Sequence, residues 1–324
     1  MKVASSSALL VLVVLTAPCQ VAAQKTHRIA ALVAEDQFVP AIEGFKKRMG
    51  ELGYIEGKNV KYEFHNAKGD IEALKELAGK IVQQKPDLIV TSSTTATVPV
   101  AKATAGTDLP VVFLSAGNPL KLVKSYASSG NNLTGISSSI LDLTEKRMQL
   151  FKELSAAVHR VISIYNPKGP NYEEYAKSSR EAAKRMGFAL SEVEVAAANP
   201  EAAKKPISLI TRKLGDAIMV PPDASVVSAT EHIAQQALKE KLPTVGPNVR
   251  TVGRGLLIAY SSDYYALGEQ GAVLVEKILR GARPTDLPIE QPFKLKLVIN
   301  LKTARAIDLK IPRELLLRAD EVIE

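Results

Sequence analysis

The stretch PDLIVTSSTTATVPVAKATA, residues 86–105, joins an apolar segment to a polar turn and a helix start. Its apolar run, Leu88–Val90, is short and rich in β-branched residues, which is typical of a fully buried parallel strand. Hydroxyl residues fill positions 91–95, and a helical apolar pattern follows. The free N–H groups and partial positive charge of a helix N-terminus favour an anion there. The stretch therefore predicts a ligand-binding turn at a strand end, with the alternative that Thr94 or Thr95 only caps the helix.

The same alternation of strand and helix runs through the chain in two successive sets, which begin near His27 and near Arg160. The predicted strands span 28–33, 60–64, 88–90, 109–114 and 133–137 in the first set, and 160–165, 188–195, 216–220, 243–245, 255–260 and 295–299 afterwards. Most connections have the length that a parallel crossover needs. The pattern predicts an α/β fold of two doubly wound, Rossmann-like lobes with parallel sheets, joined by a hinge and facing each other across a small-molecule cleft.

Polar residues mark the starts of several predicted helices. Asp70 precedes an amphipathic segment and is expected to cap it, whereas Asp142 and Glu145 form a predicted capping-box pair. A further helix is predicted to follow Pro222–Asp223 and to reach about Lys239. A long helix is expected at 264–279.

The first 23 residues differ from the rest of the chain. Lys2 is the only charged residue before Lys25, and the apolar run 8–17 is followed by Pro18 and by small residues at 21–23. This arrangement predicts a secretory signal peptide, and hence a periplasmic protein. The single cysteine, Cys19, lies within it, and the preceding proline fits a lipoprotein motif poorly, so a lipid anchor is the less favoured alternative. No later segment is long and apolar enough to predict a membrane span.

Charge and motif content argue against several classes of protein. The chain has a formal net charge of +8, but its basic residues are dispersed, and the densest runs, 46–48 and 204–205, fit solvated helix faces. Nucleic acid is therefore not an expected partner. The four histidines are not spaced as metal ligands, and the sequence has neither a nucleophile elbow nor a phosphate loop. We therefore expect no enzyme activity, no metal and no cofactor.

Four segments resemble a known family. They are LGYIEGKNV (52–60), DYYALG (263–268) and, above all, LVINLKTARA (297–306) with the ending ADEVIE (319–324). These segments are similar to the ABC-transporter substrate-binding protein family of the tryptophan/tyrosine-uptake type. The resemblance implies the type I periplasmic-binding-protein fold, capture of a small amino-acid-like or carboxylate ligand between the lobes, and delivery to an ABC permease in the inner membrane. We expect a monomer.

This interpretation divides the chain into a signal peptide at 1–23, a first lobe at 24–140 plus roughly 262–290, and a second lobe at roughly 141–261 plus 291–324. Closure about the hinge would bring both lobes onto the ligand. Two other functions remain open at this stage. The chain could be an extracytoplasmic sensor subunit that passes the same closure to a signalling partner, or, less in keeping with its motifs, a hydrolase built on the same cleft.

The predicted ligand contacts lie at strand ends or in the loops that follow them, and all except the 92–94 turn and Ser115 rest on the resemblance. They are Asp36, Gln37, Ser92, Ser93, Thr94, Ser115, Asn118, Asn166, Asp223, Tyr260 and Ser261. The 92–94 turn is expected to hold a carboxylate and Asp223 an ammonium group, from opposite lobes, unless Asp223 only caps a helix. Because the chain has no tryptophan, an aromatic ligand would stack on Phe38, Tyr165, Tyr172 or Tyr260.

Overall fold

The computed structural model describes residues 25–169, 171–195 and 200–324, so the predicted signal peptide and Cys19 lie outside the described residues. The first sheet has the order β2-β1-β3-β4-β5, and all its strands are parallel. Its strands are β1 (His27–Val33), β2 (Val60–Asn66), β3 (Leu88–Ser92), β4 (Val111–Ala116) and β5 (Leu133–Ser137). Every residue of β3, β4 and β5 is buried, as a strand covered on both faces requires.

The second sheet has the order β12-β11-β10-β9-β8-β6-β7. Its strands are β6 (Arg160–Tyr165), β7 (Ala189–Glu194), β8 (Ala217–Met219), β9 (Thr244–Gly246), β10 (Ile258–Ser262), β11 (Leu295–Asn300) and β12 (Glu321–Ile323). Strands β6 to β10 are parallel, but β11 runs antiparallel to β10, and β12, which the sequence pattern does not predict, pairs with β11. The predicted fold of two doubly wound α/β lobes is confirmed, with β11 as a departure from the predicted parallel arrangement.

Helices cover both faces of each sheet. They are α1 (Val39–Glu51), α2 (Ile71–Gln83), α3 (Thr94–Ala103), α4 (Thr144–Leu154), α5 (Tyr172–Met186), α6 (Pro200–Ser208), α7 (Ala224–Ser228), α8 (Thr230–Lys239), α9 (Val249–Gly253), α10 (Tyr264–Leu279), α11 (Leu301–Ala306) and α12 (Arg313–Leu317). On the first sheet, α1 and α10 form one apolar layer and α2 and α3 the other. On the second sheet, α4 and α5 pack on one face, and α6 to α8 pack on the other. In the described part of the chain, no helix has both the length and the apolar character that crossing a bilayer requires.

The chain passes between the two sheets three times. It leaves the first sheet after β5, returns to it between β10 and α10, and leaves again after Glu290, whose N–H donates to the carbonyl of Gly135. Side chains join these crossings, because Ser262 Oγ donates to the carbonyl of Ser138 over 2.6 Å and Ser139 Oγ donates to Gln291. The crossings therefore form a small bonded unit between the lobes.

Of two helix caps predicted from the sequence, the structure confirms one and contradicts the other. Asp70 Oδ1 accepts the N–H groups of Glu72 and Ala73, as predicted. The predicted capping box at Asp142 and Glu145 is wrong, because α4 begins at Thr144 after Leu143, which makes no side-chain cap. The buried Leu143 takes the cap position, and the exposed Asp142 precedes it by one residue.

Candidate functional site

The polar turn after β3 is organised by hydrogen bonds to β4, its neighbour in the sheet. Ser92 Oγ lies 2.8 Å from Ser115 Oγ, and the Ser93 N–H donates to the same Ser115 oxygen over 3.1 Å. Thr94 Oγ1 accepts the N–H of Gly117 over 2.9 Å. The structure thus brings together four of the predicted contacts, because the carboxyl ends of β3 and β4 lie side by side.

The N-cap of α3 is Ser93, and the prediction that Thr94 or Thr95 caps this helix is wrong. Ser93 Oγ accepts the N–H of Ala96 over 3.1 Å, and its backbone has φ 91° and ψ 150°, a region that L-residues rarely adopt. Among the described residues, the N–H groups of Thr94 and Thr95 meet no acceptor. The hydroxyls of Ser93 and Thr94 accept N–H groups and so keep their own protons to donate. The turn can therefore serve an anion.

A second polar cluster lies at the carboxyl ends of β6 and β8, in the second lobe. Asp223 Oδ1 accepts the N–H groups of Ser225 and Val226 at the start of α7, and Asn166 Nδ2 donates to Ser225 Oγ over 2.9 Å. Asp223 does cap a helix, as the alternative held. Its other oxygen, Oδ2, has no hydrogen-bond partner among the described residues. A Cβ at Gly169 would lie 2.2 Å from that oxygen, so the glycine keeps the space beside it open.

A small cavity lies against this cluster. It is lined by Asn166, Asn171, Tyr172, Tyr175, Pro221, Pro222 and Asp223. The rings of Tyr165 and Tyr172 stack with centroids 5.3 Å apart and planes at 27°. In the first lobe, Phe38 contacts Tyr264 at 5.2 Å between centroids. Each lobe therefore carries an aromatic pair that contains a predicted stacking residue.

Several side chains meet across the lobes. Asn248 Nδ2 donates to Gln37 Oε1 over 3.3 Å, and Asn118 Nδ2 donates to Glu174 Oε1 over 3.2 Å. Gln37 and Asn118 were predicted as ligand contacts, whereas their partners were not. Asn248 obeys the same strand-end rule, since it follows β9, and Glu174 lies near the start of α5 without any such signal. The exposed Asp36 is separate from these contacts, because its carboxylate accepts from Asn66 at the end of β2.

Tyr260 and Ser261 lie on β10, where the chain approaches its second crossing. The carbonyl of Tyr260 accepts from the Nε of Arg147, and Ser261 Oγ has a long contact of 3.4 Å to the carbonyl of Ser262. Ser261 is buried and Tyr260 is half-buried. Their roles as ligand contacts remain predictions. Arg147 itself was not predicted, and its only signal is a charged residue at an inward-facing position of α4.

Two mostly parallel sheets, three crossings and polar strand ends that meet between the lobes define a two-lobed binding protein of the type I periplasmic class. At 13% identity, a leucine-binding protein from Thermotoga maritima shares this fold, with a TM-score of 0.62 over 79% of this chain and 83% of that one. The family model described as ABC transporter substrate binding protein matches residues 28–323, and the chain belongs to that family.

Two named relatives align with most of the chain. A tyrosine-binding protein from Clostridioides difficile is 28% identical over 289 residues, which are 89% of this chain and 82% of that protein. A structure from Streptococcus pneumoniae, in complex with L-Trp, is 25% identical, with a TM-score of 0.82 over 92% of this chain and 100% of that one. The relatives compared are thus substrate-binding proteins.

Proposed function

We propose that this protein is the periplasmic solute-binding component of an ABC importer, and that it captures an α-amino acid between its lobes for delivery to an inner-membrane permease. The observation that carries the ligand class is the pairing of two unlike polar sites. The turn at the start of α3 offers donors to an anion, and Asp223 in the other lobe offers to a cation a carboxylate oxygen that has no partner among the described residues.

A chain of contacts connects these two sites. Thr94 bonds Gly117, the neighbouring Asn118 bonds Glu174, and the residues beside Glu174 on α5 line the same cavity as Asp223. A zwitterion placed between them would meet donors at its carboxylate end and a carboxylate at its ammonium end. A plain acid or a plain amine would satisfy only one of the two sites.

The side chain of the ligand is proposed to be aromatic. Tyr172 lines the cavity and stacks on Tyr165, and tyrosine is the largest aromatic residue that a chain without tryptophan can present. A relative named for tyrosine binding and a relative solved with L-Trp support this ligand class.

We further propose that closure occurs between a first lobe at 24–140 plus roughly 262–290 and a second lobe at roughly 141–261 plus 291–324. The packing of α10 against α1 supports the first assignment, and the position of α4 in the core of the second sheet supports the second. The cross-lobe bonds at Gln37 and Asn118 would then form as the lobes approach.

A thermal-shift screen of the secreted chain tests the ligand class. The panel contains L-tyrosine, L-tryptophan, L-phenylalanine and L-leucine, with tyramine and 3-(4-hydroxyphenyl)propanoate as analogues that lack one charged group. A ligand at ~100 times its dissociation constant adds about 2.7 kcal/mol of stability, and we expect at least one aromatic amino acid to do so while both analogues fail. Equal shifts with the analogues, or none with any amino acid, would contradict the proposal. Conversion of a bound compound during incubation would favour the hydrolase alternative.

A further inference from the structure

Arg147 is a fully buried cation at the meeting point of three chain segments. The residue is 2% exposed, and its guanidinium donates to the carbonyls of Ile140, Pro247 and Tyr260 at 2.7, 3.0 and 2.9 Å. Ile140 belongs to the first crossing, and the other two carbonyls belong to the carboxyl-end region of β9 and β10. The guanidinium therefore lies at the edge of the second sheet that faces the first lobe.

No carboxylate balances this charge in the described part of the chain. Arg147 forms no ion pair there, and its partners are neutral carbonyl groups. A guanidinium has five N–H donors, and the three bonds leave two of them unused. Burial lowers the pKa of Arg147 to about 10, so the group is still a cation at neutral pH. A buried charge without a counter-ion is costly, and the cost falls when an anion arrives.

Some neighbours of Arg147 lie beside residues of the proposed ligand cleft. Pro247 directly precedes Asn248, which bonds Gln37 of the other lobe. Tyr175, which lines the cavity beside Asp223, and Tyr264 interact electrostatically with Arg147. Neither hydroxyl supplies a negative charge at neutral pH, because burial raises the pKa values of both.

We propose that Arg147 is the residue that makes the cleft selective for a ligand with a carboxylate, by supplying the positive charge that balances this group when the lobes close. The inference rests on the proposed function and adds a residue to it. The turn at α3 supplies hydrogen bonds to the carboxylate, and Arg147 supplies the balancing charge. The two roles are separable, since removal of the charge would leave the turn intact.

The test compares L-tyrosine with L-tyrosinamide, which keeps the ammonium group and loses the carboxylate charge, and uses L-tryptophan and its amide as a second pair. Affinities are measured by calorimetric titration for wild type, Arg147→Lys and Arg147→Gln. Lysine keeps the charge, whereas glutamine keeps a donor without it. We expect wild type to prefer the acid, Arg147→Lys to retain most of that preference, and Arg147→Gln to lose affinity for the acid by about 30-fold or more, with a change of less than about threefold for the amide.

Lys146→Gln is the matched control, because it removes a charge from the same helix at a side chain that bonds only Gln149 within the described part of the chain. Thermal midpoints without ligand show whether the variants fold. If Arg147→Gln lost equal affinity for the acid and for the amide, Arg147 would only hold the three carbonyl groups in place, and the inference would be overturned. An Arg147→Lys variant that binds the acid no more tightly than Arg147→Gln would also overturn it. Equal affinity of wild type for acid and amide would also overturn it and would leave ligand capture intact. Failure of wild type to bind any amino acid would overturn the proposed function, and this role with it.

Discussion

Lys121 of the first lobe and Glu174 of the second lobe form an ion pair, with Nζ 3.0 Å from Oε1. The same carboxylate oxygen accepts from Asn118 Nδ2, so it holds two side chains of the loop after β4. Both members of the pair are about two-fifths exposed, at 41% and 40%. The pair therefore joins the lobes at a point that water and salt can reach.

Replacement of Glu174 by glutamine should weaken lobe closure modestly. Exposed ion pairs are worth about 0.2–1 kcal/mol, so ligand affinity should fall by about 1.4- to fivefold at low salt. The difference between wild type and variant should shrink as salt is added, because screening removes the attraction in wild type only. Titration calorimetry at two salt concentrations measures both effects. Glu173→Gln, a change at the exposed neighbouring residue, is the control, and an effect of equal size there would argue against a cross-lobe role for Glu174.

The same pair predicts a response to acid. Burial is the largest single influence and would raise the pKa of Glu174, but the hydrogen bonds from Lys121, its own backbone N–H and Asn118, with the charge of Lys121, together outweigh burial, and the pKa lies below its usual 4.5. A carboxyl with a lowered pKa stabilises the closed form above its usual pKa, and this contribution disappears as pH falls through the lowered value. Affinity of wild type should thus decline below pH 4.5 more steeply than that of Glu174→Gln. Parallel pH profiles would show that the pair contributes nothing to closure.

Close packing of α1 against α10 predicts a large loss of stability for Gly268→Ala. A Cβ at Gly268 would lie 1.8 Å from the carbonyl oxygen of Ala41, which is backbone and has no rotamer to relieve the overlap. We expect the free energy of unfolding to fall by about 2–4 kcal/mol. Gly50→Ala is the control, because nothing lies within 4 Å of the added atom, and alanine in a helix should be neutral or stabilise by up to about 1 kcal/mol. Denaturant titration of both variants gives the comparison.

The backbone of Ser93 predicts an order of stability for three residues at the helix start. Glycine adopts φ 91°, ψ 150° without strain and loses only a few tenths of a kcal/mol as a cap, so Ser93→Gly should raise stability by about 1 kcal/mol. Alanine keeps the strain and removes the cap, so Ser93→Ala should lower stability by about 1 kcal/mol. Chemical denaturation checks the order glycine, serine, alanine. A glycine variant less stable than serine would show that the hydroxyl does more than cap the helix, and one less stable than alanine would contradict the strain assigned to the Ser93 backbone.

Local patterns located much of the fold. The predicted bounds of β5, β6 and α10 agree with the structure, because each has a continuous apolar pattern and a polar residue at its start or end. The three-residue strand β12 is largely exposed and exists through pairing with β11, a contact that no local pattern encodes. The five-residue helix α9 is too short to show a helical period, and the predicted helix up to Lys239 divides at Ala229.

For the candidate site too, local patterns in the sequence located some residues but not the contacts that depend on how distant segments pack. The strand-end rule located the 92–94 turn and Ser115, but the bond between Ser92 and Ser115 depends on β3 lying beside β4, which is a property of the sheet. The partners across the cleft could not be read from the chain, since Asn248 and Glu174 acquire their contacts through the relative position of the lobes. Arg147 was missed for a similar reason, because two of its three carbonyl partners, Pro247 and Tyr260, lie 100 and 113 residues away along the chain.

The geometry of Asp223 allows its charge to be tested apart from its role as a cap. Asp223→Asn keeps an oxygen for the N–H groups of α7, since asparagine caps about as well as aspartate, but it replaces the unpartnered Oδ2 with an amide nitrogen. If that oxygen receives the ammonium group of the ligand, affinity for an amino acid should fall by about 2–5 kcal/mol. Affinity for a carboxylate analogue without the amine should change little.

Asp70→Asn is the matched control. Asp70 caps α2 by accepting the N–H groups two and three residues further on, as Asp223 does for α7, and it lies outside the proposed ligand contacts. Both variants should unfold within about 0.5 kcal/mol of wild type, since the cap is kept in each. Calorimetric titration with the same amino acid then separates them. A normal affinity in Asp223→Asn would leave this residue as a helix cap alone, and the ammonium group would have to be held by other residues of the cleft.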